Sequence, residues 1–213
     1  MATKLYSQKI IPVFLIIALS ALMLVQTVYA YNNSAYGFSM TPPPGWTVDE
    51  SVSGTVVMFY GPLMPETGTN ANINVVVGNS NQTLSDAISS LKTDYPTEFT
   101  NYSLVSESSQ NIGGLSSYEL VYTFSLDGNN YKEKQVLFIE NGHDYIISCT
   151  ATPSKYDTYS SAFEQSIQTF QLTSGITPSP SVPEFPTLIA IPILMAAILA
   201  GVMIYKKKMK TNK

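Results

Sequence analysis

Arginine is absent from this 213-residue chain, cysteine and histidine occur once each, and two stretches carry no charge at all. Each absence excludes something. A lone Cys149 permits no disulfide within the chain, so whatever folds must be held by its core. It alternates with Tyr145 and Ile147 in a strand-like run, which makes it a small buried hydrophobe rather than a reactive thiol. A zinc site wants three or four His, Cys or carboxylate ligands, and one His143 with one Cys149 cannot supply it. His143 precedes Asp144, a pairing that can serve general-base chemistry. Its place beside a hairpin turn makes a solvated residue the plainer reading. No Gly-x-Ser-x-Gly elbow marks a nucleophile, and Gly113-Gly114 reads as a turn rather than a phosphate loop. Asp127-Gly128-Asn129-Asn130 has too few carboxylates for calcium. No catalytic, cofactor-binding or metal-ligating residue is nominated. The expectation is a non-enzymatic protein with no cofactor.

The uncharged stretches lie at the two ends. The first follows Lys4 and Lys9 and closes on Val28-Tyr29-Ala30, a small-x-small pattern, so residues 1–30 read as a secretory signal peptide. An uncleaved N-terminal anchor is the alternative. The second covers residues 187–205. As a helix it would reach about 28 Å, close to the ~30 Å of bilayer hydrocarbon, and is expected to span a membrane. Residues 206–213 carry five lysines and belong in the cytoplasm by the positive-inside rule. The expected location is a single-pass protein of the cell membrane with its domain outside.

Between the ends the charge inverts. Fifteen acidic residues against four lysines leave the span from Asp49 to Glu184 at −11. Such a surface offers no counter-charge to nucleic acid, which is excluded as a partner. Residues 31–172 are the size of one domain, and residues 173–186 form a Pro/Ser-rich stalk.

Strand patterns run through this domain: residues 36–40, 46–48, 56–60, 72–77 and 102–108, then three longer ones. Residues 115–126 alternate, with Tyr118, Leu120, Tyr122, Phe124 and Leu126 on one face. Residues 131–140 run back, Asn141-Gly142 is a strong hairpin signal, and residues 143–151 complete a meander. Thr83 with Asp86 makes a capping box for a helix whose Leu84, Ala87, Ile88 and Leu91 share a face and which Pro96 is expected to end. Ser154 and Asp157 repeat the signal for a second helix, with Tyr156, Tyr159, Phe163, Ile167 and Phe170 as its stripe. One-faced helices need a sheet to cover, so the expected class is α+β, a central antiparallel sheet flanked by helices.

The opening Tyr36-Gly37-Phe38-Ser39-Met40-Thr41-Pro42-Pro43-Pro44-Gly45-Trp46 resembles the start of PsbP-like domains. The order of elements is similar over residues 36–172, including a helix that opens Thr83-Leu84 and carries Ala87. The resemblance implies an antiparallel sheet sandwiched by helices and carries over no shared catalytic residue. The photosystem role of one member is not transferred, because this chain's apolar tail departs from it. The tail itself, Pro183-Glu184-Phe185-Pro186 followed by an apolar span and lysines, resembles the archaeal PEF-CTERM sorting signal. That likeness implies an archaeosortase-like protease as a partner. An ordinary single-pass anchor on a stalk remains the alternative.

Three Asn-x-Ser/Thr sequons at Asn32, Asn81 and Asn101 can accept glycans in an exported domain. Tyrosines are abundant, and Tyr118, Tyr122 and Tyr145 are candidates for an aromatic groove that takes a glycan or a peptide. Half-buried strand tyrosines explain the same pattern. The combined expectation is a membrane-anchored, non-catalytic surface module that binds an envelope protein or glycan. The alternative is a structural envelope protein processed by a sortase-like protease.

Overall fold

The computed structural model describes Tyr29 to Thr173. The expected signal peptide, stalk, membrane span and basic tail lie outside these residues. Among the described residues, no helix is long and apolar enough to cross a membrane.

The order of elements is β1 (Tyr31–Asn33), β2 (Phe38–Met40), β3 (Thr47–Asp49), β4 (Val57–Met64), β5 (Thr69–Asn79), α1 (Leu84–Glu98), β6 (Thr100–Ile112), β7 (Leu115–Leu126), β8 (Asn129–Glu140), β9 (His143–Ala151), α2 (Pro153–Ile167) and β10 (Gln171–Leu172). A seven-stranded sheet runs β3-β4-β5-β9-β8-β7-β6, and β1-β2-β10 form a small second sheet. Every pairing is antiparallel. The expected meander is present and longer than foreseen, because β6 joins it through the Gly113-Gly114 turn. Both glycines there have positive φ, 60° and 86°, which is the type I′ geometry of a two-residue hairpin.

The period-2 pattern of the strands sorts apolar side chains into two cores, one on each face of the large sheet. On one face α1 lays Leu91 and Tyr95 over Tyr118, Leu120, Tyr122 and Phe124 of β7. On the other, α2 and the small sheet cover Val75, Val136, Phe138, Ile147 and Cys149. The opening motif now has a structural reason. Phe38 is fully buried and stacks on Phe170 at 5.6 Å. The Trp46 indole lies flat on Gly61, where a Cβ would come within 2.5 Å of the ring, and meets Phe163 of α2 edge-on.

Three local expectations are corrected. Pro96 does not end α1, which continues to Glu98 and is capped at Phe99 by a bond to the Tyr95 carbonyl. A proline in the last turn costs the helix its own N–H but leaves the following turn able to close. The N-cap of α2 is Thr152, with Pro153 in the first turn, rather than Ser154. The Thr152 hydroxyl is spent on the Glu66 carboxylate at 2.6 Å, and Ser154 donates to the same group, so neither caps the helix with its side chain. Asp157 instead faces Lys132 at 3.9 Å. Finally, the strand pattern expected to end at residue 60 does not stop at Gly61-Pro62, and β4 continues to Met64. The strand absorbs the pair as an irregularity between Tyr60 and Leu63 and runs on.

Candidate functional site

The three tyrosines nominated for a groove do not share a surface. Tyr118 and Tyr122 belong to the core under α1, Tyr145 to the core on the opposite face, and all three are buried. Their hydroxyls are used internally. Tyr118 donates to Glu107, which also takes the Lys92 ammonium at 2.8 Å. Tyr145 donates to the Tyr36 carbonyl at 2.9 Å, and burial raises its pKa. A sequence run shows alternation along one strand, but β9 enters the sheet with the opposite phase, so tyrosines that look alike in the sequence point apart.

Tyr122 leads to a feature the sequence reading missed. Its hydroxyl donates at 2.7 Å to Glu133, a fully buried carboxyl. Thr150 donates to the other Glu133 oxygen at 2.8 Å. Gln135, one step along β8, donates to Ser148 at 3.1 Å and accepts from Tyr95 of α1 at 2.5 Å. The registers explain the cluster. Asn72, Thr150, Glu133 and Tyr122 form one row across β5-β9-β8-β7, and Asn74, Ser148, Gln135 and Leu120 form the next. Among the described residues no cation pairs with Glu133, and its removal from water raises its pKa against the opposing hydrogen bonds. Asn74 is fully buried, and neither polar atom of its side chain has a hydrogen-bond partner among the described residues. Period-2 polar positions on β5, β8 and β9 were the available signal. Read along each strand they look solvent-facing, and only the strand order with α1 above puts them inside.

His143 and Asp144 do not form a catalytic pair. They are neighbours in β9 and so face opposite sides of the sheet. His143 is half-buried rather than solvated, with Nδ1 3.2 Å from the Gly78 carbonyl oxygen. Asp144 folds over Gly78, leaving no room for a Cβ there, and burial raises its carboxyl. Cys149 is fully buried, and burial pushes its thiol well above the ordinary range. Among the described residues no group of three or more His, Cys, Asp or Glu is placed to hold a metal ion. Asn32, Asn81 and Asn101 are all exposed; the Asn101 amide donates to Ser125 at 3.0 Å. Pro183, Glu184, Phe185 and Pro186 lie outside the described residues.

The surface feature that stands out is β6. It is a 13-residue strand at one edge of the large sheet, and nearly all of its side chains are exposed. Its pairing with β7 shifts between Thr100 and Ser103 and again between Leu104 and Ser106, then runs regularly from Ser106 to Ile112. Leu104 and Val105, at the second shift, are 44% and 55% exposed. The opposite edge, β3, is only three residues long.

Comparison with known proteins follows the same lines. The DcrB family profile matches residues 39–169. No curated protein matches the chain by sequence. Among solved structures, cyanobacterial PsbP (CyanoP) of Synechocystis sp. PCC 6803 superposes with a TM-score of 0.51 at 16% identity, over 70% of this chain and 95% of that one. LpqN, described as involved in cell envelope biogenesis of Mycobacterium tuberculosis, gives 0.51 at 14% identity over 69% and 91%. PA94 of Pseudomonas aeruginosa, a protein of unknown function, gives 0.50 at 17% over 73% and 100%. At these identities the likeness is one of fold, and the fold is PsbP-like: mainly antiparallel sheet with two helices.

Proposed function

The chain belongs to the DcrB family, and from that premise we propose that its domain is a non-catalytic interaction module on the outer face of a cell membrane. The observation that carries this reading is where the polar chemistry lies. Glu133, Tyr122 and Tyr95, the most deeply buried of the acids and hydroxyls, are held in hydrogen bonds inside the fold. The long edge strand β6 has a strand partner on one side only, so its other side presents main-chain groups along with exposed side chains. An exposed edge offers a row of N–H and C=O groups to an added strand, a recurring mode of protein recognition.

Placement on the membrane rests on the sequence: an apolar leader, a stalk, an uncharged run and a basic end. The envelope role of LpqN accords with that placement. In this reading the Pro183-Glu184-Phe185-Pro186 motif is a sorting signal of PEF-CTERM type, cut by an archaeosortase-like protease. Glycans on Asn32, Asn81 and Asn101 would then face the cell exterior. The partner is an envelope protein rather than a glycan, since Tyr118, Tyr122 and Tyr145 form no open aromatic groove.

Photo-cross-linking in native membranes tests the reading. A photoreactive residue at Ser108 on β6 is compared with one at Lys155 on α2. Protein adducts from Ser108 alone support an edge-strand module. Adducts from Lys155 alone, or from neither site, would leave the structural envelope role as the better account.

A further inference from the structure

We propose that the partner of β6 is a second copy of this chain, paired antiparallel about a two-fold axis at Ser109. The inference rests on the edge-strand reading above and specifies its occupant.

The hairpin geometry decides which groups face out. A two-residue type I′ turn closes on a hydrogen-bonded pair, here Ile112 and Leu115. Counting back in twos, Gln110, Ser108 and Ser106 aim their main-chain groups at β7, and Asn111, Ser109 and Glu107 aim theirs outward. The Ser117 hydroxyl reaching the Gln110 carbonyl at 3.3 Å fits this phase, since Gln110 is opposite Ser117 on β7. The outward residues lie in the regular part of the strand, beyond both register shifts. No proline or lysine blunts this segment, and those are the usual guards of an edge.

Self-pairing then has one favoured register. An axis at Ser109 sets all three outward residues against outward residues of the other copy: Ser109 on Ser109, Glu107 on Asn111, and the reverse. The Asn111 amide meets a carboxylate whose charge Lys92 already balances. An axis at Glu107 would instead put two carboxylates face to face, which destabilises a cross-strand pair. With the axis at Ser109, Leu104 and Val105 fall beside the second copy's Gly113-Gly114 turn. That turn has no side chains to clash with them, and the space around Gly114 is open. Two of the five large hydrophobic residues exposed among the described residues are thereby covered. Charge points the same way. The exported span carries −11, yet Glu107 is the only carboxylate on β6, so little charge opposes two copies meeting at this edge.

The test uses the full chain in detergent. Ser109→Cys is treated with a short bismaleimide, with Val105→Cys as a control that the register places far from its own copy. Buried Cys149 stays unreactive, and the unsubstituted chain verifies this. The expected result is a covalent homodimer from Ser109→Cys and none from Val105→Cys, with the dimer yield rising as salt screens the acidic domains. Ser109→Pro removes an outward donor while sparing every bond to β7, so it should abolish the dimer in sedimentation, and its unfolding midpoint should match that of the unsubstituted chain diluted until it is monomeric. An adduct of Ser109→Cys with a different protein in native membranes would overturn self-pairing and keep the edge-strand reading. A strictly monomeric chain that gives no adduct at position 109 in either setting would overturn both.

Discussion

Glu133 shows how much a single side chain can hold of a protein's pH response. Its carboxyl is raised above its ordinary 4.5 chiefly by burial. A carboxyl raised by folding favours the folded state below the unfolded value and loses that contribution as pH climbs through the folded value. Glu133→Gln removes the titration. The variant's stability relative to the parent should therefore improve as pH rises above the ordinary carboxylate range and level off once the folded-state carboxyl has titrated, read by urea unfolding at several pH values. A flat difference would mean that Glu133 keeps its ordinary titration. Asn74 makes the complementary case. A buried amide with no partner costs about 1–3 kcal/mol, so Asn74→Leu should raise stability by roughly 1 kcal/mol in the same assay. A loss instead would reveal a partner for the amide, such as an ordered water. The character of both residues is plain in the sequence, but their burial is not. Each looks like the polar half of an alternating strand until the rows Asn72–Thr150–Glu133–Tyr122 and Asn74–Ser148–Gln135 are assembled.

Elements that depend on near neighbours could be read in advance. The capping box of α1 forms as the spacing requires: the Asp86 N–H donates to the Thr83 hydroxyl at 3.2 Å, and the Asp86 carboxylate accepts from Thr83. Thr83→Ala should cost about 1 kcal/mol of stability, and Asp86→Ala on top of it should add little, since the two act as one unit. β7 and β9 match their expected limits because glycine turns and alternation define them locally. Elements shaped by distant contacts escaped. The start of α2 moved because Glu66, far away in the chain, takes the Thr152 and Ser154 hydroxyls. β4 continues through Gly61-Pro62 because β5 pairs with it on both sides of the irregularity and Trp46 packs over the glycine. Gly61→Val should force that indole away and lower stability by about 1–3 kcal/mol, with a matching change in Trp46 fluorescence, the chain's only tryptophan.

At the scale of the whole molecule, the two ends and the domain call for different experiments. Intact mass of the chain taken from native membranes tests the ends: a start at Tyr31 and an end near Phe185 are expected of a sorted protein, whereas retention of Lys206 to Lys213 would mean an intact anchor. The domain is a matter of how strands are ordered. Sequence by itself determined the class of fold, the capping box of α1, the hairpins and the face each apolar residue shares with its near neighbours. All of these follow from spacings of a few residues, where backbone geometry leaves little choice. Only the tertiary structure decided that β5 lies beside β9, that two cores face away from each other across one sheet, that Glu133 is buried, and that β6 is left at the edge. Those outcomes depend on pairings between residues as far apart as Asn72 and Thr150. Main-chain hydrogen bonds are alike for every sequence, so the order of strands is set by how all the side chains pack at once, which no local stretch of the chain encodes.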